Sequence, residues 1–211
     1  MAVFVITAVP TVEGFLRSSG GPVYAAEQAG AGSYFDAAFP VDVGQDWFPG
    51  TYIIYRSGLA FDTSPVGAGS PIVSAVLSLY GWNDFSDTDF DLTVVSGADL
   101  ADPLVDADYQ ELLARTASFG SMNTSAFILG DWNNIALNAS GRAAINLIGI
   151  TFLGLRSSRD IAALVPGGSG FESIQYETPN NVVWPATHRP ILTITTAIAP
   201  TVQTDPATGV N

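Results

Sequence analysis

Residues 51–80 read TYIIYRSGLAFDTSPVGAGSPIVSAVLSLY, two alternating runs on either side of a break rich in Pro and Gly. In the first run Ile53, Tyr55, Leu59 and Phe61 fall on one face of an extended chain. In the second, Val73, Ala75, Leu77 and Leu79 do so, with Ser74 and Ser78 opposite. Side chains alternate across a strand, so this period of two predicts two long, half-buried β-strands. Ser64-Pro65, Gly67, Gly69 and Pro71 supply the turn chemistry between them. Arg56 and Asp62 lie on the face opposite the apolar set, too far apart along one strand to pair with each other. They read as structural residues, each ordering a neighbouring loop.

Working outward, further strands are predicted over residues 3–9, 12–17, 92–95, 126–130, 132–137, 150–156, 172–177 and 191–196, the last alternating cleanly as ILTITT. Residues 18–34 are weakly patterned, a loop or a poorly signalled strand, and residues 40–50 place Trp47 and Phe48 between turn residues. Two short helices are predicted. One follows Asp108, with Glu111 three residues on as a capping pair and Tyr109, Leu112 and Leu113 toward the core; the other spans 139–147. Eight to ten strands without alternating long helices exclude an α/β fold. The expected architecture is all-β: an antiparallel two-sheet jelly-roll sandwich with two short helices and extended termini. One domain covers 12–196, flanked by an N-terminal arm or edge strand (1–11) and a C-terminal arm or tail (197–211).

With 47% hydrophobic and 13% charged residues, the 211-residue chain has ample material for a packed core. Its 20 acids face seven arginines and no lysine, a net charge of −13 that repels phosphate backbones and anionic lipid surfaces. Nucleic-acid and membrane partners are therefore not expected. The absence of lysine removes P-loop and Schiff-base chemistry, and the absence of cysteine removes disulfides and thiolate metal sites. The N-terminal apolar run lacks a basic flank and meets Pro10, so it does not read as an export signal.

Chemistry-bearing patterns are sparse. His188 is the sole imidazole, and no G-x-S-x-G elbow accompanies it, so it reads as a structural or surface residue. Fifteen aspartates single out no acid–base pair, and no enzymatic activity is expected. Within residues 83–91, NDFSDTDFD, alternation puts Asp87, Asp89 and Asp91 on one side. They are candidate ligands for a structural calcium ion, against the plainer reading of a solvated acidic loop, since the EF-hand glycine and distal glutamate are missing. Trp47, Trp82 and Trp184 adjoin turn residues, as do Phe48, Phe85 and Trp132. The three tryptophans are the candidate ligand- or partner-binding residues, against the alternative that they cap the ends of the core.

The strand Arg56-x-x-Leu59-x-Phe61-Asp62, followed by Ile72-x-Ser74-Ala75-x-Leu77-x-Leu79-Tyr80, resembles the pattern of DNRLRE-type β-sandwich modules, which look like carbohydrate-binding jelly rolls. The likeness continues through the acidic segment ending at Tyr109, Trp132 with Leu137, Leu153-Gly154-Leu155-Arg156, and Arg189-Pro190-Ile191-Leu192-Thr193-Ile194, covering roughly residues 51–196. These are mostly buried-strand positions, so the resemblance implies fold more than function. It also implies a place among bacteriophage structural and surface-associated proteins. The expected function is a non-enzymatic virion protein, made in the host cytoplasm. In that role it is a decoration or cement protein on the capsid exterior, with the major capsid protein, another virion protein or itself (as a homotrimer) for partner. The alternative is a carbohydrate-binding module, or a tail or fibre component recognising a host-surface glycan.

Overall fold

The computed structural model describes residues 1–12, 14–36, 40–167, 170–178 and 188–197. The chain runs through β1 (Ala2–Thr7), β2 (Gly14–Ser18), α1 (Tyr24–Ala29), β3 (Gly32–Asp36), β4 (Val41–Phe48), β5 (Thr51–Asp62) and β6 (Ile72–Asp84). There follow β7 (Asp91–Ser96), α2 (Asp108–Leu113), β8 (Gly120–Asn123), β9 (Trp132–Ala136) and α3 (Ala139–Ala143). The chain closes with β10 (Ile150–Ser157), α4 (Ser158–Ile161), β11 (Phe171–Tyr176) and β12 (Ile191–Thr196). All pairings are antiparallel, and the twelve strands form one curled sheet in the order β1-β12-β6-β11-β4-β5-β10-β7-β8, with β9 on β6 and the β2–β3 pair on β5. The all-β antiparallel sandwich is as expected. Its two halves, however, are one folded-over surface rather than separate sheets. No helix among the described residues is long and apolar enough to cross a membrane.

The join is β6. Its first part pairs with β12 on one edge and β9 on the other, and its last residues pair with β11. Ala75, Leu77 and Leu79 point inward as alternation predicts, joining Leu59, Phe61, Leu92, Val94, Leu153, Leu155, Leu192 and Ile194 in the main core. Val73 does not. The ladder shifts there, so that Thr195 and Thr196 face Ser74 and Ile72, and Val73 is left as the extra residue of a bulge, 51% exposed.

The preceding strand β5 departs further from the expectation. Its odd residues Leu59 and Phe61 face the main core, but Ile54 and Ala60 enter a second core with Val12, Leu16, Tyr24, Val95, Leu100, Leu104, Tyr109 and Leu112. Helices α1 and α2 and the segment between β7 and α2 cover this side. At its centre Gly58 pairs with Gly154, and the missing Cβ atoms make the seats for Leu100, Leu104 and Leu112. Both faces of β5 are therefore buried, and Arg56 is not on a solvent face as alternation implied. It is fully buried.

What makes that tolerable is Asp160, also fully buried. Arg56 donates to its two carboxylate oxygens at 2.8 and 2.9 Å, and to the backbone oxygens of Tyr109 (2.8 Å) and Gln28 (3.1 Å). The guanidinium also lies 4.0 Å from the Tyr109 ring centroid. Arg156 donates to the same carboxylate at 2.8 Å and to the oxygens of Leu113, the last residue of α2, and Arg115 just beyond it. Burial alone would raise the Asp160 carboxyl; hydrogen bonds from Arg56 and the charges of both arginines outweigh it and hold it below the usual range. Asp62, by contrast, is exposed and orders a turn, accepting from the backbone and hydroxyl of Ser64.

The two predicted helices are present as α2 and α3, and α1 and α4 join them. Asp108 does not cap α2. It is buried in the helix's first turn, and its carboxylate turns back to accept from the backbone N–H groups of Ala101 and Val105. Replacing Asp160 with Asn leaves two buried guanidiniums without a counter-charge, a change that typically costs about 3–5 kcal/mol. The expected outcome is a matching fall in the urea midpoint with unchanged m-value; a variant as stable as the parent would show that the pair of arginines does not depend on that charge.

Candidate functional site

Where β6 leaves β12 for β11, the chain builds a cluster of rings. Tyr80 pairs with Trp132 across β6 and β9, their rings edge to face at 5.5 Å. His188, just before β12, stacks on Tyr80 with centroids 3.7 Å apart and planes within 4°, and Trp132 also meets its edge at 6.2 Å. The imidazole is held there by Glu177, whose carboxylate oxygen lies 2.7 Å from Nδ1 and whose own backbone N–H bonds Tyr80. The Tyr80 hydroxyl donates to the Gly130 oxygen at 2.6 Å. Gly81 is required at the bend, because a Cβ would strike the Ile128 carbonyl. Tyr80, Gly81, Trp82, Gly130, Glu177 and His188 line an open cavity of about 260 Å³.

Of the three candidate tryptophans, Trp82 lines this cavity. Trp47 lies elsewhere, half-buried on β4 with its ring 6.5 Å from Tyr52 and its backbone N–H on the Gly170 oxygen. Trp184 lies outside the described residues, as do all but Ala197 of residues 197–211. Of residues 1–11, Ala2–Thr7 form the edge strand β1. His188, read as structural or surface, turns out to be a wall of the cavity paired with Glu177, a partnership eleven residues apart in sequence that no motif advertises.

The acidic loop does not assemble as its alternation suggested. Asp89 accepts from the Thr124 hydroxyl at 3.4 Å and Asp91 from the Asn123 amide at 2.9 Å, while the Asp87 backbone N–H bonds the oxygens of Phe85 and Phe171. Among the described residues, no three carboxylate or imidazole groups stand close enough to hold a metal ion.

The cavity opens at one end of an unusual surface. Two residues on from Tyr80 and Trp132, and on the same face, are Ser78 and Asn134, joined by a 2.6 Å hydrogen bond. Beyond them the row Val5–Thr193–Val76–Ala136 crosses the four strands β1, β12, β6 and β9, and the row Val3–Thr195–Ser74 crosses the first three. β1, β12, β9 and residues 72–82 of β6 contain no Asp, Glu, Lys or Arg. In a chain of net charge −13, the four-strand face is neutral.

A separate acidic strip on β4 was not legible among fifteen aspartates. Asp46 accepts from the Ser173 hydroxyl at 2.9 Å and Asp42 from the Gln175 amide at 2.9 Å. Burial pushes both carboxyls up, Asp42 to about 6 against the hydrogen bond from Gln175. Since the folded pKa lies above the unfolded value, the native state holds the extra proton between about pH 4 and 6, and stability falls as pH rises through that window.

A comparison with protein-family models and with curated proteins finds no match to this chain. The rings and the buried carboxylate suit stacking on a planar or apolar ligand surface, and the adjoining neutral face suits docking on another protein. An Asp42→Asn variant should be more stable than the parent at pH 7.5 by about 1–3 kcal/mol. The gain should vanish toward pH 4; equal melting temperatures at both pH values would refute the raised carboxyl.

Proposed function

We propose that this chain is a non-enzymatic structural protein of a phage virion, a decoration protein that seats on the outer surface of the major capsid lattice. The observation that carries the reading is the neutral four-strand face on a protein of net charge −13. A surface without charge can be desolvated cheaply against a partner, whereas burying unpaired carboxylates elsewhere on the molecule is costly. The acids then point away from the lattice, and a strongly acidic exterior does not compete for packaged DNA. The resemblance over residues 51–196 supports the same assignment.

Co-sedimentation with capsid shells of the encoding phage tests it. Ser74→Glu with Ala136→Glu places charge on exposed positions of the face and should weaken binding at least tenfold, with the circular dichroism unchanged. Undiminished binding of that variant, or none by the parent chain, would count against the reading.

A second reading is favoured by the cavity itself. Trp82 and His188 beside the Glu177 carboxylate are groups that stack on and hydrogen-bond a sugar ring, as a carbohydrate-binding module or a tail component recognising a host glycan would need. Retention on a glycan array, lost in Trp82→Ala while capsid binding is absent, would move the assignment to this alternative.

A further inference from the structure

β1 ends the strand order, with β12 on one side and no strand on the other among the described residues. Exposed edges are ordinarily blunted by lysine, proline, a bulge or a covering segment, because their free backbone groups recruit any passing strand. AVFVIT has none of the first three: its six residues pair in unbroken register with β12. The Ala8 N–H bonds the Pro190 oxygen at 2.9 Å, which sets the phase of the ladder. Alternation then directs the N–H and C=O groups of Val3, Val5 and Thr7 to the open edge. Val3 and Val5 are also 61% and 65% exposed on the neutral face, while Phe4 and Ile6 pack against the core.

We propose that two copies of this chain associate through β1, edge to edge and antiparallel, giving a two-fold dimer whose four-strand faces merge into one eight-stranded surface. Charge permits this occupant at β1 and opposes it elsewhere. Two molecules of net charge −13 repel through most of their surface, and β1 borders a face where neither contributes a charge. A two-fold axis also makes the edge its own complement, since the same strand supplies donors and acceptors to itself. The outward groups require odd residues to face odd ones, and full overlap of the two strands then sets Val3 of one copy opposite Val5 of the other as a hydrogen-bonded pair, with Phe4 facing Phe4 on the axis. The contact is independent of what the merged face docks on, so it stands or falls apart from the decoration reading.

Sedimentation equilibrium of the full chain should show a monomer–dimer equilibrium. Val3→Lys with Val5→Lys should weaken it at least tenfold, although the change lowers net charge and so relieves global repulsion. Ile148→Lys with Leu129→Lys, exposed positions off this edge, should leave it unchanged. Hydrogen-bonded pairs stand about 5.5 Å apart at Cα, within disulfide range, and the chain has no native cysteine. Val3→Cys with Val5→Cys should therefore cross-link under mild oxidation, and either single cysteine should not. A parent chain that stays monomeric at about 100 μM overturns the proposal. So does a trimer, a dimer indifferent to the lysines, or a dimer that appears only after residues 198–211 are deleted.

Discussion

A single carboxylate, that of Asp160, lies between two arginines in a place where none of the three touches water. Such a group is stable only if each charge is paired and each remaining donor finds an acceptor. The protein meets this with backbone oxygens from the two helices that cover β5 and β10: Gln28 from α1, Tyr109, Leu113 and Arg115 from α2 and its exit. Helices of six residues are marginal in water, and α1 and α2 lack side-chain caps at their first turns. What holds them acts on their carbonyls, which accept from the guanidiniums below and from Tyr109 and Gln110 across, the latter two donating to Glu27, Ala29 and Gly30. The second core, the helices and the floor they rest on form one arrangement, hinged on that charge.

The long strands were legible because alternation is a local property, and β6 and β12 obey it over most of their lengths. Arg56 was misplaced for a reason alternation cannot reveal: a strand buried on both faces puts a charged residue inside only when its partner is there, and Asp160 stands 104 residues away. β4 was hidden in a different way. Its Asp42 and Asp46 look like loop residues, yet Pro49-Gly50 with Gly50 at φ 84 is the two-residue turn that closes the β4–β5 hairpin. α1 had no signal, since tertiary contacts rather than propensity hold it. At the cavity, Trp82 could be picked as an aromatic beside a turn. The stacking of His188 on Tyr80 and its tie to Glu177 needed the strand crossing that brings residues 80, 177 and 188 together.

Charge is distributed with the same economy. Acids and arginines occupy the helices, the connecting segments and strands β2 to β5, β7, β10 and β11, while the β1–β12–β6–β9 third of the sandwich, Asp84 at the end of β6 apart, relies on valine, threonine, serine and isoleucine. Threonine and valine serve there as strand formers that can face either water or a partner without a large penalty. A surface of this kind is soluble enough when free, and it desolvates without stranding a charge when covered. Its aromatic end adds shape and a polar handle.

The sharing of β6 between both halves has a mechanical meaning. In a sandwich of two separate sheets the layers can slide or part with every ladder intact. Here thirteen residues of one strand bind β12 and β9 at one end and β11 at the other. The halves cannot part at that join unless the β6–β11 ladder, three residue pairs at the end of the strand, is broken. The molecule is a clasp closed by its own longest strand.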